Sequence, residues 1–169
     1  MLEQLGDRRR EIDQEKADES NYMSFNNIPP TKFAAIDKYR ERNRVKLRFT
    51  YFPAIETLIV KIPTAKCEAA HRNFEGLLSI PAKELGVEVG EFCSMGATTY
   101  TYRYRSRAQD RSLKEGDSTY KNRRLRRNDE GLPSLVVEAG NSEKSLDHLK
   151  AAAKWWIETS RARSASSCY

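Results

Sequence analysis

Apolar and polar positions alternate most cleanly in VKLRFTYF, where Val45, Leu47, Phe49 and Tyr51 fall on one side and Lys46, Arg48 and Thr50 on the other. A period of two predicts a half-buried strand. PAIE turns the chain, and TLIVKIP (residues 57–63) returns as a second strand, so a hairpin is predicted. The spacing then becomes helical in TAKCEAAHRNFEGLLSIPAKELG. Thr64 stands as N-cap, Glu68 lies in the opening turn, and Ala69, Phe74, Leu77 and Leu78 make an apolar stripe that Pro81 ends or kinks. VEVGEFCSMG and TTYTYRYRSR read as strands. The second puts Tyr100, Tyr102 and Tyr104 on one face and Thr101, Arg103 and Arg105 on the other. RSRAQDRSLKEGD reads as a loop, DSTY as a short strand, and KNRRLRRNDEG as a basic loop. The run Leu135-Val136-Val137 reads as a buried strand, and NSEKSLDHLKAAAKWWIETS as a helix capped near Asn141 or Ser142. That helix carries an apolar stripe of Leu146, Leu149, Ala153 and Trp156.

The flanks are more polar. Residues 1–30 read as a polar arm with at most a fraying helix, closed by NNIPP, and residues 161–169 as a loose tail. TKFAAIDKYRERNR is a short helix or an entry segment. One domain over residues 31–160 is left, an α/β or α+β sheet with helices packed on it. No internal repeat is present.

Composition narrows the setting. Lysine and arginine outnumber acids 30 to 24, a formal charge of +6, which favours a polyanionic partner such as DNA or another nucleic acid. Cys67, Cys93 and Cys168 are far apart, with no CxxC pair. This argues against a disulfide framework or a local zinc site and suits a reducing compartment. No apolar run approaches the ~20 residues of a membrane span, and MLEQLGDRRREIDQEKADES is charged where a secretory signal is apolar. An intracellular protein, cytoplasmic or nuclear and without a membrane partner, is expected. The chain has no GxGxxG, P-loop or serine-triad pattern, so nucleotide-cofactor enzymes and covalent hydrolases are disfavoured and no small-molecule cofactor is expected.

The chemistry begins with a misfit: Glu138 closes the apolar run Leu135-Val136-Val137. An unpaired carboxylate resists leaving water. Either Glu138 lies past the strand end in solvent, or a cation waits for it. Asp117 stands 21 residues earlier, at the start of its own strand. If the two strands pair or lie one strand apart, both carboxylates reach one sheet edge, and together they require a cation. Magnesium takes such hard oxygen donors.

KEGDSTYKN followed by PSLVVEAGNSEKSLDHLKAAAKWWIETS resembles the core of the restriction-endonuclease-like PD-(D/E)XK superfamily, and is most similar to fungal proteins bearing that domain. The hairpin LRFTYFPAIETLIVKIPT and the helix opening AKCEAAHRN resemble the segments before it, so the similarity spans roughly residues 45–160. The resemblance implies a central mixed β-sheet flanked by helices and Mg²⁺- or Mn²⁺-dependent hydrolysis of phosphodiester bonds in DNA. It makes Asp117 the first metal ligand, Glu138 the second and the Ala139 carbonyl the third. The superfamily's lysine would stand two positions after Glu138, where this chain has Gly140. Lys150 and Lys154 on the following helix are then candidates to position the attacking water or the phosphate. Glu68 either adds a third carboxylate or partners its helix dipole. Two departures count against activity. The acidic residue expected near Ala152 is missing, and the last core strand of the pattern is absent, exposing an edge unless a partner chain, a second copy included, supplies it.

Lys121, Arg123, Arg124, Arg126 and Arg127 lie between the candidate ligands. They read as a phosphate-backbone contact, a nuclear localisation patch or a solvated loop. Arg103 and Arg105 extend the patch or form a solvated strand face. Trp155 and Trp156 cannot share a helix face, so one is expected in the core and the other partly exposed. His71 and His148 read as packing or surface residues, with a general-base role as the alternative for His71, one turn after Glu68. The functional expectation is a metal-dependent nuclease-like domain. Its rivals are a catalytically inactive basic nucleic-acid-binding module and a truncated, non-functional copy.

Overall fold

The computed structural model describes residues 2–13, 20–88, 90–103, 111–126, 131–140 and 142–166. The elements are α1 (Leu2–Asp13), β1 (Tyr22–Phe25), α2 (Pro30–Arg42), β2 (Arg48–Phe52), β3 (Thr57–Lys61), α3 (Ala65–Glu84), β4 (Phe92–Gly96), β5 (Thr99–Arg103), β6 (Arg111–Glu115), β7 (Ser118–Asn122), β8 (Leu135–Val137) and α4 (Leu146–Ser166). The strands form two sheets, ordered β1-β3-β2-β6-β5 and β4-β7-β8, and every pairing is antiparallel. The fold is α+β. The expected single central mixed sheet is replaced by these two antiparallel ones.

The predicted hairpin is present as β2 and β3, turned by a one-turn 3₁₀ helix at Pro53–Ile55. Its two faces have opposite characters. Phe49, Tyr51, Leu58 and Val60 point to one side and are buried with Leu5, Ile28, Phe33 and Ile62. The α2 ring of Phe33 stacks on Tyr51 at 4.1 Å, and the Tyr51 hydroxyl donates to the Ile28 carbonyl at 2.8 Å. Full burial of each such aliphatic side chain contributes about 1.5–3 kcal/mol. The other face carries Arg48, Thr50, Ile59 and Lys61, with Lys114 of β6 opposite Thr50. It is not solvated, because α4 lies across it. His148 stacks on Tyr22 of β1, and Trp156 meets Tyr100 of β5 edge-on.

β6 and β7 are one strand bent at Gly116-Asp117. The first half belongs to one sheet and the second half to the other. The segment β4–β5 follows the same bend alongside it, with an irregularity between Ser94 and Gly96. Gly116 is required at the corner, since a Cβ there would come within 2.9 Å of Thr119 and 3.2 Å of Val136. With β4–β5 on one side of this strand, β2 and β8 must lie on the other. They leave a seam between the first residue of β2 and the last of β8.

Several expectations change. The described parts of the N-terminal arm are folded: β1 pairs with β3, Leu5 of α1 joins the core, and Asn21 is wholly buried with its amide on the Ile62 carbonyl. Its few apolar residues are spread too thinly to show a period. Residues 111–115, read as loop, are β6, because strand pairing on both sides outweighs a polar composition. The α3 stripe does not face inward. Cys67 and His71 are its buried residues, while Phe74, Leu77 and Ile80 are exposed. Pro81 neither ends nor breaks α3. It forgoes a bond only to the carbonyl of an exposed turn, and the helix closes with Leu85 N–H on the Pro81 carbonyl. α4 buries Ala152, Trp155 and Thr159 rather than the predicted stripe, and it continues to Ser166 into the expected loose tail. Tyr104, Arg105 and Cys168 lie outside the described residues.

Candidate functional site

Charged side chains from β2, β3, β6, the strand bend, the end of β8 and α3 fill the seam. Asp117, at the strand bend, is 3% exposed, and Lys61 and Lys114 are each 4% exposed. Cross-strand pairing puts Tyr22, Lys61 and Arg48 in one row across β1, β3 and β2, and Lys114 follows on the same face. Such residues stay buried only when paired.

Asp117 accepts from Arg48 Nε at 2.8 Å, from the Ala139 backbone N–H at 2.7 Å and from Lys61 Nζ. Lys61 also donates to the Ala139 carbonyl at 2.6 Å and stands 4.0 Å from Glu138 Oε2. The other Glu138 oxygen takes Lys114 Nζ at 3.1 Å and Trp156 Nε1–H at 3.0 Å. The carboxylate that closes the apolar run is therefore paired inside the fold rather than solvated. Arg48 bridges onward to Glu68 at 2.5 Å. Arg48, Lys61 and Lys114 thus balance Asp117, Glu138 and Glu68.

A polar support ties α3 to this cluster. The Ser118 hydroxyl and His71 Nδ1 are 2.8 Å apart, and His71 Nε2 lies 3.2 Å from Glu68 Oε1, a close approach without the alignment of a full hydrogen bond. Burial works to raise the Glu68 carboxyl. His71, Arg48 and Arg72 together outweigh it and hold the group below its ordinary range. Tyr22 responds the other way. Burial first, then the nearby Glu138 and Asp117, push its phenol well above the usual tyrosine range, and its hydroxyl has no hydrogen-bond partner among the described residues. A further buried carboxylate, Glu115, is a structural anchor. It accepts from Arg40 at 2.7 and 2.8 Å, from the Phe49 N–H at 3.0 Å and from the Thr99 hydroxyl at 2.8 Å.

Of the residues singled out in the sequence, Asp117, Glu138 and the Ala139 carbonyl come together. Glu68 joins through Arg48, with His71 beside it, rather than alongside the other two carboxylates. Lys150 and Lys154 do not: their side chains are 68% and 74% exposed and pair along α4 with Asp147 and Glu158. α4 turns its other side to the sheet, and both adjacent tryptophans reach it, their rings 4.8 Å apart; Trp155 is core and Trp156 half-buried, as expected, although the two share that side. The basic run divides. Lys121 is buried within β7, Arg123 and Arg124 are exposed in the turn after it, and Arg126, also exposed, donates to the Leu132 carbonyl at 3.0 Å. Arg127 lies outside the described residues. Sequence reasoning missed Arg48, Lys61 and Lys114. The available signal was the alternation of the hairpin, whose second face carries Arg48 and Lys61; Lys114 lies in β6, which read as a loop.

Among the described residues, no three of His, Cys, Asp and Glu gather closely enough to enclose a metal by themselves. The donors that converge are two carboxylates and one backbone carbonyl. All are hard oxygens of the kind magnesium and manganese take, and all are turned toward one cationic head, Lys61 Nζ. By donor chemistry the set fits such an ion. Comparison with known proteins adds no relative: no family model matches the chain, and neither a curated protein nor a solved structure does.

Proposed function

We propose that this domain is a Mg²⁺- or Mn²⁺-dependent phosphodiesterase of the nuclease type acting on DNA, with Asp117, Glu138 and the Ala139 carbonyl as the metal-holding groups. The observation that carries this reading is the convergence of those three oxygen donors on a single cationic head at the sheet seam. A divalent ion held there supplies an activated water and steadies charge on the phosphodiester. The chain's own part is positional. Arg48 and the Ala139 N–H fix Asp117, and Trp156 fixes Glu138. Lys114, 3.1 Å from Glu138, is the ammonium suited to the place left open at Gly140. Arg123 and Arg124 present guanidinium groups for backbone phosphates.

A second reading, an inactive nucleic-acid-binding module, draws on the charge balance of the site, which is neutral without any metal. The two separate on Glu138→Gln, which keeps the acceptor for Trp156 and removes the charge. Mn²⁺ binding by calorimetry and plasmid nicking are both expected in the wild type and both lost in the variant. Retained nicking in Glu138→Gln would refute the metal role, and DNA binding without nicking in either protein would favour the binding module.

A further inference from the structure

The cation at the centre of the seam belongs to the chain itself. We propose that the Lys61 ammonium is an internal cation holding the ion position of this site, so that a divalent metal enters only by displacing it. The inference rests on the metal reading above and concerns how that site is controlled.

Lys61 Nζ contacts Asp117 Oδ2 and the Ala139 carbonyl and faces Glu138 Oε2 at 4.0 Å, so one head addresses all three proposed ligands. The other two cations do not. Arg48 is fixed between Asp117 Oδ1 and Glu68, and Lys114 approaches Glu138 from its other oxygen. Charge points the same way. The buried cluster is neutral as it stands, so a divalent ion added to it leaves two excess positive charges in a poorly hydrated place, and departure of a resident cation halves that excess. Lys61 is the one suited to leave. Its ammonium sits on a flexible four-carbon stem, whereas the Arg48 fork is held at two carboxylates. Asp117 keeps Arg48 and the Ala139 N–H when Lys61 moves, so the acid remains in place. The Tyr22 ring, 5.2 Å from Nζ, flanks the head, and its buried hydroxyl has no partner among the described residues, a polar atom available when the seam rearranges.

The test is Mn²⁺ titration by calorimetry on the full chain in four forms: wild type, Lys61→Met, Lys61→Met with Asp117→Asn, and Lys150→Met. The last makes the same charge change on the exposed face of α4. Circular dichroism checks each fold, and Lys61→Gln replaces Lys61→Met should the latter not fold. Lys61→Met is expected to bind Mn²⁺ at one site at least about tenfold more tightly than wild type. The gain is expected to vanish with Asp117→Asn and to be absent in Lys150→Met. Equal affinity in wild type and Lys61→Met overturns the displacement and leaves the metal site standing. An equal gain in Lys150→Met overturns it too, since net charge alone then explains the effect. Binding in neither wild type nor Lys61→Met, both folded, removes the metal reading and this proposal with it.

Discussion

At Gly140 a Cβ would stand 2.9 Å from Leu149 Cδ1 and 2.9 Å from the Cβ of Ser145, a residue with no exposed surface. An approach that close requires the start of α4 to shift, and overpacking of this kind typically costs about 1–3 kcal/mol. Gly140→Ala is therefore expected to lower the urea midpoint at an unchanged slope, by the shift that corresponds to a stability loss in that range; an unaltered midpoint would show that α4 gives way freely. The same crowding would meet any larger side chain at this position. The residue alone was legible in the sequence as a departure from a pattern. The crowding was not, because Ser145 and Leu149 are brought against it only when α4 docks. Glu138 was legible in the same partial way. Its misfit with an apolar run announced a partner, but Lys61, Lys114 and Trp156 come from three separate elements, and no local spacing links them.

Docking of α4 involves the stack of His148 on Tyr22, with ring centroids 4.7 Å apart, which ties the helix to β1. Burial, partly offset by Asp147, lowers the His148 pKa from 6.5. The folded protein then binds a proton there less readily than the unfolded chain. The stabilisation is present above pH 6.5 and is lost as pH falls through the lowered folded value. Urea denaturation is expected to show declining stability from neutral pH into this window, and His148→Phe, which keeps a ring for the stack, is expected to flatten the decline. Glu68, also held low, adds its own loss only around and below pH 4.5, so the two effects separate along the pH axis. A decline identical in His148→Phe would assign it elsewhere. At this scale the hairpin and the opening of α3 were legible, because strict alternation and an N-cap threonine are local signals. β1 and β6 were not. Tyr22–Phe25 is strand because β3 offers it an edge, and Arg111–Glu115 because β2 and β5 enclose it. The inward faces of α3 and α4 were misjudged for a related reason. α3 is anchored by polar contacts through Glu68 and His71, so its apolar residues do not mark its buried side.

For the whole molecule, the cancellation of charge inside the seam has a consequence for binding. Arg48, Lys61 and Lys114 offset Asp117, Glu138 and Glu68, so the surplus of +6 lies outside the site. Under the proposed function, attraction to DNA and any chemistry at the seam fall to different residues. Arg123 and Arg124 suit the first role. Both are exposed, and their turn is fixed by the Arg123 N–H on the Glu91 carbonyl at 2.7 Å and by the Leu125 N–H on the Asn122 side chain at 3.0 Å. Each duplex phosphate that a protein no longer neutralises reduces the slope of log affinity against log salt by about 0.9. With chelator present, fluorescence anisotropy on a labelled duplex is expected to show the slope of the Arg123→Ala, Arg124→Ala double variant smaller than wild type by roughly 2. Glu138→Gln is expected to leave the slope unchanged, because its partners already face inward. A slope altered by Glu138→Gln but not by the double variant would mean that the seam itself receives the phosphate backbone, and that the basic turn is only a solvated loop.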